Sequence, residues 1–206
     1  MKVSVIIPYD RNRGWLEEAI ESVERQTYRG EIEIIESQGK CFVGHNINEG
    51  FKDAEGDLVR FLCDDDMLTP TSIEDTVNYF SKNKSIDFAH SNAYGINSTG
   101  QILNESIPPK TPKTADELAR RNTVHGGTVI YRRECFERCK WDPDLWTGEE
   151  YEYNMRLLSE GFNLGYFDKF TYMYRRHPNQ KSARTPRNTA RRKRAIDIIK
   201  RKYRNE

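Results

Sequence analysis

The sequence predicts an α/β fold with its ligand site along one edge of the sheet. Three observations carry this. Strand-like and helix-like stretches alternate about four times in the first ninety residues. The clean apolar runs, residues 3–7 and 59–62, are of strand length. The segments after the strands, 8–12, 36–40 and 64–66, hold polar and charged residues, and open α/β sheets bind ligands beyond the carboxyl ends of their strands.

Taken in order, residues 3–7 read as a buried strand ended by Pro8, which has no N–H for a ladder. Residues 14–26 read as an amphipathic helix with Trp15, Ala19, Ile20 and Val23 on one face. Residues 31–36 form a second strand and 44–54 a helix, with Gly56-Asp57 as a turn. Residues 58–63 read as a strand apolar on both faces, as in the middle of a parallel sheet. Thr69-Pro70 opens the next helix, with Thr71 and Glu74 at capping-box spacing. Residues 87–94 form a fourth strand, and the alternation argues right-handed crossovers.

The second half is less regular. Residues 101–112 read as a proline-rich loop or short hairpin, and 114–121 as a short helix. A strand at 128–131 follows the flexible His125-Gly126-Gly127. Residues 147–160 form a helix, 161–176 contain strand pairs, and 187–203 form a basic helix.

Composition bounds the function. Of 206 residues, 36% are hydrophobic and 32% charged, enough for one modest core and incompatible with a collagenous or low-complexity chain. No stretch approaches the ~20 apolar residues of a spanning helix. The N-terminus lacks the long apolar region of a secretory signal. Cys41, Cys63, Cys135 and Cys139 make no disulfide framework or zinc spacing, so reduced thiols and a cytosolic location are expected. Charge is uneven: residues 181–206 carry eleven Lys/Arg against Asp197 and Glu206, a local +9, and leave residues 1–180 at −8. Such a tail suits an anionic partner or a solvated helix.

Asp64, Asp65 and Asp66 follow the third strand. Three adjacent carboxylates repel one another unless a cation or solvent relieves them. One reading is a Mg²⁺ or Mn²⁺ site bridging to a diphosphate, and the other is an acidic turn before a helix N-terminus.

The chain resembles a family 2 glycosyltransferase of the GT-A fold. The matching segments are Ser4-Val5-Ile6-Ile7-Pro8-Tyr9, Asn48-Glu49-Gly50-Phe51 with Ala54 and Gly56-Asp57, and Phe61-Leu62-Cys63-Asp64-Asp65-Asp66-Met67-Leu68. Then come Gly126-Gly127-Thr128, Trp141-Asp142-Pro143, Gly148-Glu149-Glu150 and Tyr174-Arg175-Arg176-His177, in the family's order, over about residues 3–182. The resemblance implies a Rossmann-like mixed sheet flanked by helices, with one catalytic domain at 1–180. Residues 1–100 would be its nucleotide-sugar half and 101–180 its acceptor half, followed by the basic helical tail 181–206. It further implies a nucleoside-diphosphate sugar, UDP-linked foremost, a Mn²⁺ or Mg²⁺ cofactor, inversion at the anomeric carbon, and a glycan or lipid-linked acceptor.

On the residues, the resemblance places Pro8, Tyr9, Asp10 and Arg11 at the nucleotide and Glu36 at the base or ribose. Asn48, Asp64, Gly126, Gly127 and Arg175 join the nucleotide-sugar side. Asp65 is the main metal ligand, with Asp66 and His177 beside it. Arg176 and Lys181 are further donors to the diphosphate. Glu150 is the base, supported on the acceptor side by Glu149 and Trp146, whereas Trp141 belongs to the core. The chain departs from the family pattern at Cys63, at Glu36, at the short loop 37–44 and at Glu149-Glu150.

The chemistry asks for these groups. The leaving diphosphate gains negative charge, which a divalent ion stabilises. The acceptor alcohol needs a base. Glu150 also stands at capping-box spacing from Thr147, so spacing alone leaves cap and base both open. Rival readings are a nucleotidyltransferase, disfavoured by the glycine-poor loop after the first strand, a sugar-nucleotide sensor without catalysis, and a module binding nucleic acid or an anionic surface through Arg191-Arg192-Lys193-Arg194. No nucleic-acid partner is expected. Within the enzyme reading, residues 187–203 are expected to meet an anionic membrane at its inner face without deep insertion, since Ala195, Ile198 and Ile199 are few.

Overall fold

The computed structural model describes residues 1–39, 42–183 and 185–203. The elements run β1 (Val3–Tyr9), α1 (Leu16–Glu24), β2 (Ile32–Gln38), α2 (Val43–Gly50), β3 (Leu58–Phe61), β4 (Met67–Leu68), α3 (Ser72–Lys82), β5 (Phe88–Ile96), β6 (Ile102–Ser106), α4 (Ala115–Arg120), β7 (Ile130–Arg132), α5 (Arg133–Arg138), α6 (Glu149–Ser159), β8 (Leu164–Arg175) and α7 (Pro186–Tyr203). They form one mixed sheet in the order β2-β1-β3-β7-β5-β8-β4, with β6 on β5. The expected α/β class holds, and the sheet is mixed as the resemblance implies.

Alternation along the strands builds a core on each face. Val3, Val5, Ile7, Leu58 and Leu62 face α1 and α3, where Leu16, Ala19, Val23, Ile73, Val77 and Phe80 meet them at helical spacing. Ile6, Val59 and Phe61 face the opposite core, with Trp141, Tyr153, Met155 and Leu157. Trp141 is fully buried as expected and stacks on Tyr153 at 4.6 Å.

The parallel alternation expected for the first half breaks at β5. Strand β7, from later in the chain, lies antiparallel between β3 and β5. Two antiparallel steps leave β5 pointing the same way as β1, β2 and β3, and β8 runs parallel to β5. Five carboxyl ends therefore share one edge.

Several local expectations are corrected. Strand β1 continues through Pro8 to Tyr9, paired with β2. Ile6 and Pro8 face β3, and that strand ends at Phe61, so the missing N–H of Pro8 costs no ladder bond. Strand β3 is not apolar on both faces: Arg60 lies at its centre, fully buried, donating to the Ser72 hydroxyl at 2.8 Å and the Gly127 carbonyl at 3.0 Å. Burial lowers its pKa to about 10. The box at Thr71 does not form, because its hydroxyl donates to Asp75 at 2.7 Å while Glu74 accepts from Thr27 at 2.6 Å. Residues 161–176 hold one twelve-residue strand, β8, with register shifts against β5, and no internal pair. The turn at Gly126–Thr128 is a packed 3₁₀ turn rather than a flexible one, tied by Thr128 Oγ1 to the His125 carbonyl at 2.7 Å.

The basic helix α7 is docked. Ile199 is 2% exposed within the core that holds Trp141, and Ile196 and Tyr203 pack beside it. Buried Glu152 accepts from Arg156, Lys202 and Tyr203. Burial alone would push its carboxyl up, but these hydrogen bonds hold it below the usual range. Among the described residues no helix is long and apolar enough to cross a membrane. Ile199→Ala is expected to lower stability by about 2–5 kcal/mol in chemical denaturation, as for a core residue.

Candidate active site

The loop after β3 is held by the end of β8. Asp66 is 2% exposed and both its oxygens are engaged: Oδ2 accepts from the Tyr172 hydroxyl at 2.6 Å and Oδ1 from the Arg175 N–H at 2.7 Å. Burial and the charge of Asp65 push its carboxyl well up. The Arg175 guanidinium, expected at the diphosphate, is fully buried instead. It donates to the carbonyls of Asp65 and Ser98, each at 2.8 Å, and to Glu18 at 2.7 Å, with Trp15 5.4 Å away. Three of its N–H groups, one on each nitrogen, are thus spent on the fold.

Beyond this anchor Asp65 and Asp64 face the edge. His177 Nε2 stands 2.9 Å from Asp65 Oδ2; the residue is held by its backbone N–H donating to Gln180 Oε1 at 2.6 Å, and its ring packs on Trp15 at 4.5 Å. His177 is 7% exposed and its Nδ1 is buried without a partner. Donor atoms of Cys63, Asp65 and Asp66 lie within 4.8 Å of one another. Asp64 accepts from Arg13 at 3.1 Å, yet burial and Asp65 raise its pKa to about 6.

These groups fit a small divalent ion. Adjacent ligands of an octahedral ion, each about 2.1 Å from it, stand about 3 Å apart, which matches the Asp65–His177 separation. A carboxylate cluster with an imidazole beside it could hold a divalent ion with further oxygen ligands. Asp66 accepts one hydrogen bond on each oxygen, keeps lone pairs, and belongs to the same cluster as Asp65 and Cys63. Burial and the nearby carboxylates push the Cys63 thiol well up, which keeps it protonated and a poor ligand.

The remaining predicted residues are placed as follows. Tyr9 donates to Glu36 at 3.3 Å across the ends of β1 and β2. Asp10 pairs with Arg13 and accepts from the Arg11 N–H, while the Arg11 side chain is exposed. Pro8 is buried. Asn48 lies away from the edge, bonded through its amide to the Trp141 carbonyl at 2.9 Å and N–H at 3.0 Å. Lys40 and Cys41 lie outside the described residues. Lys181, expected at the diphosphate, pairs with Glu149 at 2.8 Å.

Glu150 reaches the edge from the start of α6. The box expected at Thr147 is absent: the cap is Gly148, at φ +79, a conformation that favours glycine, and no side chain caps the helix. Glu150 packs over Gly126, where an added Cβ would stand 2.0 Å from Glu150 Cγ. Gly127 likewise admits the Tyr172 ring, at 2.4 Å from such a Cβ. Both glycines therefore make room for protein side chains. Burial and the charge of Glu149 raise the Glu150 pKa, and Glu150 acts with all three aspartates on the Cys63 thiol. Glu150, over Gly126 just before β7, thus stands at the same sheet edge as the triplet. Trp146 is half-buried beneath Arg191, at 4.1 Å.

Sequence reading missed Arg13, Trp15 and Tyr172 as supports of this site. Tyr172 stands two residues before the quoted Tyr174-Arg175, and alternation along that strand was a usable signal for it.

A mixed sheet with carboxylates, an imidazole and a half-buried glutamate at the shared carboxyl edge has the layout of a GT-A transferase. The chain matches the family described as glycosyltransferase like family 2 over residues 1–195, and it belongs to that family. It is 24% identical over 174 residues to an uncharacterized glycosyltransferase of Methanocaldococcus jannaschii, covering 83% of this chain and 59% of that one. It is also 24% identical over 217 residues to the uncharacterized glycosyltransferase EpsJ of Bacillus subtilis, covering 86% and 62%. The chain thus spans about three fifths of the length of these relatives. Among solved structures, S. aureus TarS 1–349 in complex with UDP-GlcNAc shares the fold at TM-score 0.72 and 18% identity, covering 100% of this chain and 68% of that one. The same protein in complex with UDP gives 0.68 at 17% identity, covering 100% and 67%.

Asn48→Ala is expected to cost about 1–3 kcal/mol through the lost bonds to Trp141, with the thermal shift induced by UDP unchanged. Gly126→Ala is expected to displace Glu150 and abolish turnover while leaving UDP binding in place, read by the same shift beside a UDP-release assay.

Proposed function

We propose that the protein transfers a sugar from a nucleoside-diphosphate sugar, UDP-linked foremost, to a hydroxyl of a glycan or lipid-linked acceptor, with inversion. The observation that carries this is Glu150. It is a helix-start glutamate freed from capping and held over Gly126, just before β7, at the carboxyl ends of the neighbouring strands. Family membership and the UDP-bound likeness of TarS support the donor class.

In this reading Glu150 takes the proton of the acceptor hydroxyl. The acceptor oxygen bonds to the anomeric carbon from the face opposite the diphosphate. The carbon–oxygen bond to the diphosphate breaks, and its electron pair leaves with the nucleoside diphosphate. A carboxyl whose pKa is raised is the stronger base. Asp65 and His177 would hold Mn²⁺ or Mg²⁺, which would supply positive charge to the leaving diphosphate. Tyr9, Asp10, Arg11 and Glu36 meet the nucleotide, and Asp64, steadied by Arg13, meets the ribose. Residues 1–100 serve the donor and 101–180 the acceptor, and the cytoplasmic, membrane-peripheral location read from the sequence belongs to the same proposal.

The reading is tested by thermal shift and turnover. UDP with Mn²⁺ is expected to stabilise the protein more than either alone. Glu150→Gln keeps this stabilisation and loses about 10²–10⁴-fold in turnover; near wild-type turnover would remove Glu150 as the base. A base must be ionised, so activity falls as pH drops through its raised pKa. Glu149→Gln removes a charge that raises this pKa and frees Lys181, so the acid limb of the kcat/KM profile moves to lower pH.

A further inference from the structure

A cavity of about 490 Å³ opens between the segment 181–183 and α7. Its wall carries Lys181, Arg192, Lys193 and Lys200 against one acid, Asp197, with Ile196 also lining it. Lys181 is paired with Glu149, but Arg192, Lys193 and Lys200 form no ion pair with a described carboxylate. Cations gathered on one cavity wall repel one another, and an anion seated between them removes the repulsion.

The cavity adjoins the proposed base. Ile196 and Ile199 come within 3.2 and 3.1 Å of where a Cβ on Gly148 would stand, and Gly148 precedes Glu149-Glu150. Lys181 and Arg192 both act on the Glu150 carboxyl. Asp64 and Asp66 instead feel Arg13, Arg175 and Asp65. Trp146 closes this side under Arg191, with Lys181 6.0 Å from its ring. Two cations of the cavity wall therefore lie on the side of the site that holds Glu150, while Arg13 and Arg175 serve the triplet.

We propose that this cavity seats a phosphoryl group carried by the acceptor, beside the hydroxyl that Glu150 deprotonates. The word acceptor rests on the transferase reading above, while the anion seat rests on the cavity alone. A phosphate takes several charge-assisted hydrogen bonds from Arg and Lys at once, and a neutral sugar takes none of that strength.

The experiment is isothermal titration of the full chain with glycerol 3-phosphate and with glycerol as its neutral counterpart. It is paired with flotation on phosphatidylcholine vesicles with and without a prenyl phosphate. Glycerol 3-phosphate is expected to bind and glycerol not. Affinity is expected to fall about tenfold in Arg192→Gln and in Lys200→Gln, the loss of one charge-assisted hydrogen bond each. It is expected to stay unchanged in Arg194→Gln, an exposed cation of the same helix outside the cavity. Saturating UDP with Mn²⁺ leaves the phosphate affinity intact. Flotation that requires the prenyl phosphate assigns the phosphate to a lipid-linked acceptor, and binding of the soluble phosphate without such flotation assigns it to a phosphate-bearing glycan or polyol. Equal binding of glycerol, indifference to both variants, or displacement by UDP overturns the proposal. A chain that binds glycerol 3-phosphate yet gains nothing from UDP with Mn²⁺ overturns the transferase reading and spares the anion seat.

Discussion

The site depends on the grip of β8 on the loop after β3. Tyr172 and the Arg175 N–H take both oxygens of Asp66, and the Arg175 guanidinium takes the carbonyl of Asp65. A buried carboxylate without partners is costly, whereas one with two short hydrogen bonds is tolerated and rigid. With the middle of the turn pinned in this way, Asp64 and Asp65 project toward the edge without choice of direction. His177, two residues past Arg175, is delivered by the same strand to within 2.9 Å of Asp65. One strand end therefore sets both the position of the acidic turn and its imidazole partner, with Asp66 the aspartate tied to the strand.

The antiparallel strand β7 explains how the second half of the chain reaches this edge. A strand entering between β3 and β5 in the opposite sense brings its preceding residues, Gly126 and Gly127, to the carboxyl ends of its neighbours. Gly126 then receives Glu150, and Gly127 receives both the Tyr172 ring and, through its carbonyl, Arg60. Arg60 is a buried cation without a carboxylate partner among the described residues, and its hydrogen bonds connect β3 to this turn and to the start of α3. Glu150, the turn and the anchor tyrosine thus share one packed junction, in which a single added methyl at Gly126 meets a side chain.

How much of this was legible follows from the range of each interaction. Val3, Val5 and Ile7, the face of α1 and the acidic triplet are local patterns, and they were readable. The edge location of the site followed from strand direction. Caps were misread at Thr71 and Thr147, because both sequences fit a local rule while Asp75, Thr27 and the left-handed Gly148 offered better arrangements in three dimensions. The roles of Arg175, Asn48 and Asp66 were beyond local reading. Their partners stand far away in sequence, as with Asp66 and Tyr172 or Asn48 and Trp141, and no spacing encodes such pairs. Arg60 was absorbed into an apolar run, although a charge inside a buried strand is itself a sign of a distant polar partner.

The tail helix shows why the charge asymmetry of the sequence had two meanings at once. Ile199 and Tyr203 join α7 to the body, and Lys202 meets Glu152 in the interior. That docking fixes one face of the helix, so the cations on the remaining faces are held at set positions rather than on a loose arm. Fixed cations lose less entropy on meeting an anion than mobile ones do. Arg191 over Trp146 and Arg192 near Glu150 are consequences of the register that Ile196 and Ile199 impose. A helix that completes the core therefore also sets the electrostatic character of the space beside Glu150. A change in its apolar face should disturb anion binding and stability together, while a change in its outward cations should separate them.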